Sequence, residues 1–342
     1  MSAAGEQAAA LLRSLRGSTL DGVGDPVRIR AIEQLEGGWS RHSYVATVED
    51  ADGSTRRLIV RVRPEDTVLD SDLETEFRTY LALADEPLAT PRVYSYEPAR
   101  ETPFGGPFFT MEFRSGAAAN VWRAPDRAEL EADWNGDRAI ATDFVDQLAS
   151  LHQVPTGPLD GVLETRDFAA SVDRWQELYE RVRVVRDPIV DEAYAWVRDR
   201  VPTPVAPALV HGDYRIGNCL VDRGRISAVI DWELAYVGDP RFDLGYLSQP
   251  YETGKFTRPG SALLGAVADR EWLFARYEQR TGAAVDREVV RTYTALGALM
   301  LIAIMSVGVR VYADGGTDDI RMAWSRFVFP GLRQDLAGLM DW

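Results

Sequence analysis

The chain has 342 residues, 46% of them hydrophobic and 27% charged, a globular composition long enough for two lobes. Its formal net charge of −15 argues against nucleic acid as the main partner, because phosphate backbones are bound by clustered Lys and Arg. A lone cysteine, Cys219, excludes an internal disulfide and a Cys-based zinc site, and suits a reducing, cytoplasmic compartment.

Residues 1–10 (MSAAGEQAAA) lack the charged start and apolar run of a signal peptide. Residues 7–17 predict a short amphipathic helix. Strand patterns follow at 27–35, 44–49 and 58–62, with Asp52-Gly53 as a turn signal. Alternation through LIVRVR sets Leu58, Val60 and Val62 on one face and Ile59, Arg61 and Arg63 on the other. Residues 72–84 have helical spacing, with Leu73, Phe77, Tyr80, Leu81 and Ala84 on one side. Strands at 93–97 and 108–112 complete a sheet that ends near residue 113. After Gly116 the pattern turns helical, over 126–152, 167–183, 187–200, 261–281, 286–309 and 318–338. A short β segment at 209–210, 219–221 and 227–231 interrupts it, with an Arg223-Gly224 turn. Thr292–Val309 is an uncharged run of 18 residues. Its Gly, Ser, Thr and Tyr content and missing anchors predict a buried central helix, so no membrane partner is expected.

The most informative stretch is His211-Gly212-Asp213-Tyr214-Arg215-Ile216-Gly217-Asn218, followed by Ile230-Asp231-Trp232-Glu233. Phosphoryl transfer needs one carboxylate to take a hydroxyl proton, and an amide oxygen with a second carboxylate to hold Mg²⁺ on a nucleotide. Asp213 suits the first role, and Asn218 and Asp231 the second. The pattern reads as a kinase of small molecules. His211 is expected to brace the loop, His152 to be a satisfied core histidine and His42 to be exposed.

At this point the chain resembles the aminoglycoside phosphotransferase and choline-kinase-like superfamily. It is closest to the branch related to kinase domains fused to acyl-CoA dehydrogenases. The similar segments are LEGGWSRHSYV (35–45), LIVRVRP (58–64), ETEFRTYLAL (74–83), PFGGPFFTMEFRSG (103–116), LASLHQVP (148–155), HGDYRIGNCLVD (211–222) and VIDWELAYVGDPRFDLGYL (229–247). The resemblance implies an α+β, two-lobed protein-kinase-like fold, with a small β-rich N-lobe (1–113) and a large helical C-lobe (114–342). It also implies a nucleotide between the lobes, ATP or alternatively GTP, with Mg²⁺. By position, Gly37, Gly38 and Ser40 would cover the phosphates. Arg61, with Arg63 as runner-up, would replace the usual phosphate-binding Lys, paired with Glu76 or secondarily Glu74. Met111, Glu112 and Phe113 would form the hinge that reads the base through backbone groups. Asp239 and Asp243 would steady the catalytic loop, and Trp122, Trp134 and Trp175 lie where the family builds its acceptor pocket.

The expected partners are a nucleotide and a small-molecule hydroxyl acceptor, with oligomeric state left open. The acceptor is an antibiotic of aminoglycoside or nucleoside type, or alternatively a hydroxyacyl-CoA or other small alcohol. A catalytically silent nucleotide-binding scaffold is the third reading.

Overall fold

The computed structural model describes residues 3–35, 41–64, 72–254 and 261–342, so Gly37, Gly38 and Ser40 lie outside the described residues. The chain divides into two compact units, Met1–Glu86 with Thr90–Ser115, and Pro87–Ala89 with Gly116–Trp342.

The first unit carries α1 (Ala3–Gly17), β1 (Pro26–Gln34), β2 (His42–Asp50), β3 (Thr55–Val62), α2 (Leu73–Ala82), β4 (Val93–Glu97) and β5 (Phe108–Glu112). The strands form one antiparallel sheet in the order β1-β2-β3-β5-β4. The period of two in β3 works as read. Leu58, Val60 and Val62 are buried against Ala46, Val48, Phe104 and Phe108, together with Leu11 and Leu15 of α1. The opposite face of β3 presents Arg61 to α2, where it meets Glu76. The Asp72 carboxylate starts α2 by accepting the backbone N–H groups of Glu74 and Thr75.

The second unit carries β6 (Ala117–Ala118), α3 (Ala124–Asn135), α4 (Ala139–Leu151), α5 (Phe168–Val182), α6 (Pro188–Arg198), β7 (Ala208–Val210), β8 (Cys219–Asp222), β9 (Arg225–Val229) and β10 (Tyr236–Gly238). These are followed by α7 (Arg241–Leu247), α8 (Arg270–Thr281), α9 (Arg287–Ala313), α10 (Ile320–Trp324) and α11 (Phe329–Leu339). Two small sheets, β6-β8-β9 and β7-β10, hold the motif residues.

Three helices differ from the sequence reading. The run at 126–152 is two helices, because the chain turns at Gly136 and Arg138, the latter with φ 60. There the Asp133 carboxylate accepts the N–H groups of Ile140 and Ala141 and so starts α4. The run at 261–281 becomes helical only at Arg270, after Gly265 and Ala266 take positive φ and Asp269 caps the helix. The run at 318–338 breaks before α11, which opens with Pro330 in its first turn.

The uncharged run lies inside α9, a helix of 27 residues. Among the described residues it is the one helix long and apolar enough to cross a membrane, and 67% of its most apolar window is buried inside the fold. It packs against α5, α6, α7, α10 and α11. Buried Leu296, Leu299, Met300 and Ile302 each contribute about 2 kcal/mol of apolar burial.

Helix α7 crosses α9 at Gly245. A Cβ there would lie 2.6 Å from the Tyr293 carbonyl carbon and 2.7 Å from the Thr294 nitrogen. Gly245→Ala is therefore expected to destabilise the protein by about 1–3 kcal/mol through overpacking. Urea denaturation checks this, and an unchanged midpoint would contradict the close crossing.

Candidate active site

The stretch 211–215 leaves β7 and needs an outside acceptor for its backbone donors, because it belongs to neither helix nor sheet and becomes a 3₁₀ turn only at Ile216–Asn218. Asp243 of α7 supplies it. Its fully buried carboxylate accepts the N–H of His211 at 2.8 Å, the N–H of Gly212 at 2.9 Å and Nε2 of His152 at 3.1 Å. The Tyr277 hydroxyl lies 2.7 Å from Nδ1 of His152, so that histidine is the satisfied core residue expected. Gly212 has φ +81, and a Cβ on it would meet the Leu234 carbonyl oxygen at 2.5 Å. Both constraints call for glycine at the centre of the motif. His211 reaches the Ile230 carbonyl oxygen through Nε2, and its Nδ1 accepts the Asp213 N–H at 3.3 Å. It thus ties the loop to the strand end that carries Asp231. Asp239 does not reach this loop. Its carboxylate accepts the Arg241 N–H and side chain and the Tyr293 hydroxyl, so it anchors the start of α7 to α9.

Asp213 and Asn218 are joined directly. The Asn218 amide nitrogen donates to the Asp213 carboxylate at 2.7 Å and to its carbonyl oxygen at 2.9 Å. With the nitrogen so engaged, the amide oxygen is the atom left for a cation. The Asn218 carbonyl oxygen accepts the Ile230 N–H at 2.9 Å, which sets Asn218 beside Asp231. Asp231 follows β9 in a left-handed conformation, φ 73, one that Asp tolerates better than most residues. An amide oxygen beside a carboxylate is a hard-oxygen donor pair, and it fits Mg²⁺ rather than zinc. Cys219, next in sequence, is fully buried, and burial pushes its thiol up to about 12, so it is inert.

In the first unit Glu76 is buried and takes two arginines. Nε of Arg61 lies 2.6 Å from Oε1, and Nε of Arg41 lies 3.4 Å from Oε2. Glu74 is exposed on the other side of α2. Sequence reasoning missed Arg41. Its signal was register: Ser43 pairs with Arg61 across β2 and β3, and Arg41 is two residues before Ser43 on the same face. In the expected hinge segment, Met111 is a buried sheet residue. The Glu112 N–H donates to the Arg92 carbonyl oxygen at 2.7 Å, and Phe113 is covered by the Arg57 guanidinium at 3.7 Å.

The surroundings of Asp213 were also incompletely read. Nε of Arg215 lies 3.1 Å and 3.3 Å from its two carboxylate oxygens. Tyr246 interacts electrostatically with Asp213 as well. Glu252, on a 3₁₀ turn at Pro250–Thr253, is 3% exposed and interacts electrostatically with Arg215 and Asp213. No motif marks Glu252, and only folding brings it to the loop. Of the three tryptophans, Trp122 packs edge-on against Tyr251 at 4.6 Å, beside Glu252. Trp134 instead packs on Trp272 at 5.2 Å, and Trp175 is buried in the helical core.

Residues 31–282 match the profile of the family described as APH, phosphotransferase enzyme family. The chain belongs to that family. Its members are kinases of small molecules that act on hydroxyl groups. Among curated proteins, the chain is 28% identical over 225 residues to mouse acyl-CoA dehydrogenase family member 10, a match covering 64% of this chain and 20% of that protein. Among solved structures, a Ralstonia eutropha protein assigned as an aminoglycoside phosphotransferase matches with a TM-score of 0.73 at 22% identity, over 97% of each chain. An aminoglycoside phosphotransferase solved with AMP-PNP and hygromycin B matches with a TM-score of 0.58 at 19% identity, over 91% of this chain and 95% of that one. At these identities the structural matches establish the fold: a β-sheet N-terminal region and a helical C-terminal region.

Burial pushes the Glu252 carboxyl up from 4.5 to about 7; Arg215 opposes the rise and Asp213 adds to it. The folded state therefore favours the protonated acid. That stabilisation is complete below pH 4.5 and is lost as pH rises through about 7. Glu252→Gln is expected to match the wild type near pH 4 and to exceed its stability by up to about 3 kcal/mol at pH 8. Urea titrations at the two pH values check this, and parallel curves would show that Glu252 is not a buried acid.

Proposed function

We propose that the protein transfers the γ-phosphoryl group of ATP to a hydroxyl of a small molecule in the cytoplasm, with GTP as the alternative donor. The observation that carries this reading is the frame joining Asp213, Asn218 and the Ile230–Asp231 strand end through three hydrogen bonds. Asp213 orients the acceptor hydroxyl and takes its proton. Asn218 and Asp231 hold Mg²⁺, which when bound neutralises charge on the nucleotide phosphates. Arg61, fixed by Glu76, grips phosphate oxygens with a planar fork that stays charged at any working pH. Gly37, Gly38 and Ser40 cover the phosphates, and backbone groups of Met111, Glu112 and Phe113 contact the base. Since the Glu112 N–H already donates to Arg92, the base contact falls to the remaining backbone groups of the segment. The rate gain comes from positioning and preorganised charge.

The acceptor we favour is an antibiotic of aminoglycoside or nucleoside type, supported by the structural neighbour that holds hygromycin B. A hydroxyacyl-CoA acceptor is the second reading, favoured by the 28% identity to the acyl-CoA dehydrogenase relative. A screen of Mg²⁺–ATP and Mg²⁺–GTP consumption against aminoglycosides, nucleoside antibiotics and hydroxyacyl-CoAs separates them. Asp213→Asn is expected to cut turnover by about 10²–10⁴-fold while calorimetry still detects nucleotide binding. Wild-type turnover in that variant would sink the assignment. Asp231→Asn keeps a residue that accepts the left-handed backbone, so it is expected to fold normally yet lose the Mg²⁺ dependence of nucleotide binding. Retained Mg²⁺ dependence would count against Asp231 as a ligand.

A further inference from the structure

A cavity of about 550 Å³ opens within the helical unit. Its walls come from the turn between α5 and α6, one side of α9 and the segment that leads into α11. None of its lining residues belongs to the 211–218 or 230–233 motifs, to α7 or to the turn that carries Glu252. Along α9, Gly297 sits beside Tyr246 and Gln249, whereas the cavity meets the helix at Ile302, Ser306 and Val309. Ser306 lies about 13 Å further along the helix axis than Gly297.

The depth of the cavity is apolar. Val190 and Ile302 are buried there, and the Ser306 hydroxyl is spent on its own helix, donating to the Ile302 carbonyl oxygen at 2.6 Å. The rim is apolar and cationic at once. Val184, Val185 and Phe327 are 53%, 68% and 73% exposed, and exposed Trp324 packs on Phe327 at 6.4 Å. Arg183, Arg186, Arg326 and Arg333 stand among them. Asp191 pairs with Arg183 and Arg186, and Asp187 with Arg333 at 3.0 Å. Asp187 also accepts the Ile189 N–H that starts α6. Two carboxylates against four guanidinium groups leave this rim cationic on a chain whose net charge is −15.

Exposed apolar side chains around a hollow of this size mark a binding site, since small-molecule pockets run from about 300 to 1,000 Å³. Two features choose the occupant. A depth without free polar partners takes a hydrocarbon chain, and a rim of guanidinium forks takes a carboxylate. A second copy of the chain suits the rim less well, because a two-fold contact here would set the same cationic surface against itself. We propose that this cavity binds a straight-chain alkyl carboxylate, its chain against Ile302 and Val309 and its head held at the rim by Arg326 and the neighbouring arginines.

The test is calorimetry on the full chain with dodecanoate below its micellar range. One site is expected, with affinity at least about tenfold above that for octanoate, because each fully buried methylene is worth about fourfold. Dodecyltrimethylammonium has the same chain and the opposite charge, and it is expected to bind at least about tenfold more weakly than dodecanoate. Arg326→Glu and Phe327→Ser alter exposed residues and should leave the melting temperature unchanged. Each is expected to weaken dodecanoate about tenfold, while Asp213→Asn binds it as the wild type does. No saturable binding, equal affinity for the ammonium, or wild-type affinity in both rim variants overturns the proposal. So does loss of binding in Asp213→Asn, which would move the ligand to the active site. Retention on phosphatidylglycerol vesicles without binding of free dodecanoate would assign the rim to a membrane surface, and a dimer in sedimentation velocity that Phe327→Ser dissociates would assign it to a second copy; either overturns it too.

Discussion

The carboxylate of Asp243 is the constraint on which the rest of the site depends. A loop that turns through a positive-φ glycine cannot satisfy its own backbone donors, and it is too buried for water to do so. Asp243 accepts two successive backbone N–H groups and a histidine ring at once. The position of Asp213 is therefore inherited from α7. The position of α7 is inherited from its glycine crossing with α9, and α9 is held by the helical core. Packing far from the motif thus sets the geometry of the motif.

The first unit solves a related problem with arginine. Glu76 is buried, and a buried carboxylate is costly unless each oxygen finds a partner. Arg61 takes one oxygen and Arg41 the other. In the phosphate-binding role proposed for Arg61, this arrangement differs from a single Lys–Glu pair in that Glu76 orients the fork in advance. A lysine on a flexible stem would keep more freedom and lose more entropy on binding.

Much of this was legible from sequence because the signals were local. Alternation in β3 placed Arg61 opposite the core residues, and spacing along 211–218 brought Asp213 and Asn218 into contact. The end of an apolar strand delivered Asp231. What was not legible depended on contacts between distant segments. Arg41 needed the β2–β3 register, and Glu252 needed a turn to fold back onto a loop more than thirty residues earlier. The break between α3 and α4 falls in the polar stretch 131–139 at Gly136, which ends α3, and a single Asp133 carboxylate then starts α4. Asp239 and Asp243 are chemically alike and four residues apart, yet they take different partners, because Asp239 precedes α7 and caps its start while Asp243 lies inside the helix.

The composition of α9 has a consequence for how this chain must acquire its structure. Its apolar surface is safe only once it is covered, and the covering elements lie on both sides of it in sequence. During synthesis α5, α6 and α7 emerge first and offer a docking surface, whereas α10 and α11 arrive afterwards. For that interval a long greasy helix stands partly uncovered, the kind of intermediate that aggregates or recruits chaperones. Variants that slow the docking of α7 would then lower the yield of protein more than they lower the activity of the molecules that fold.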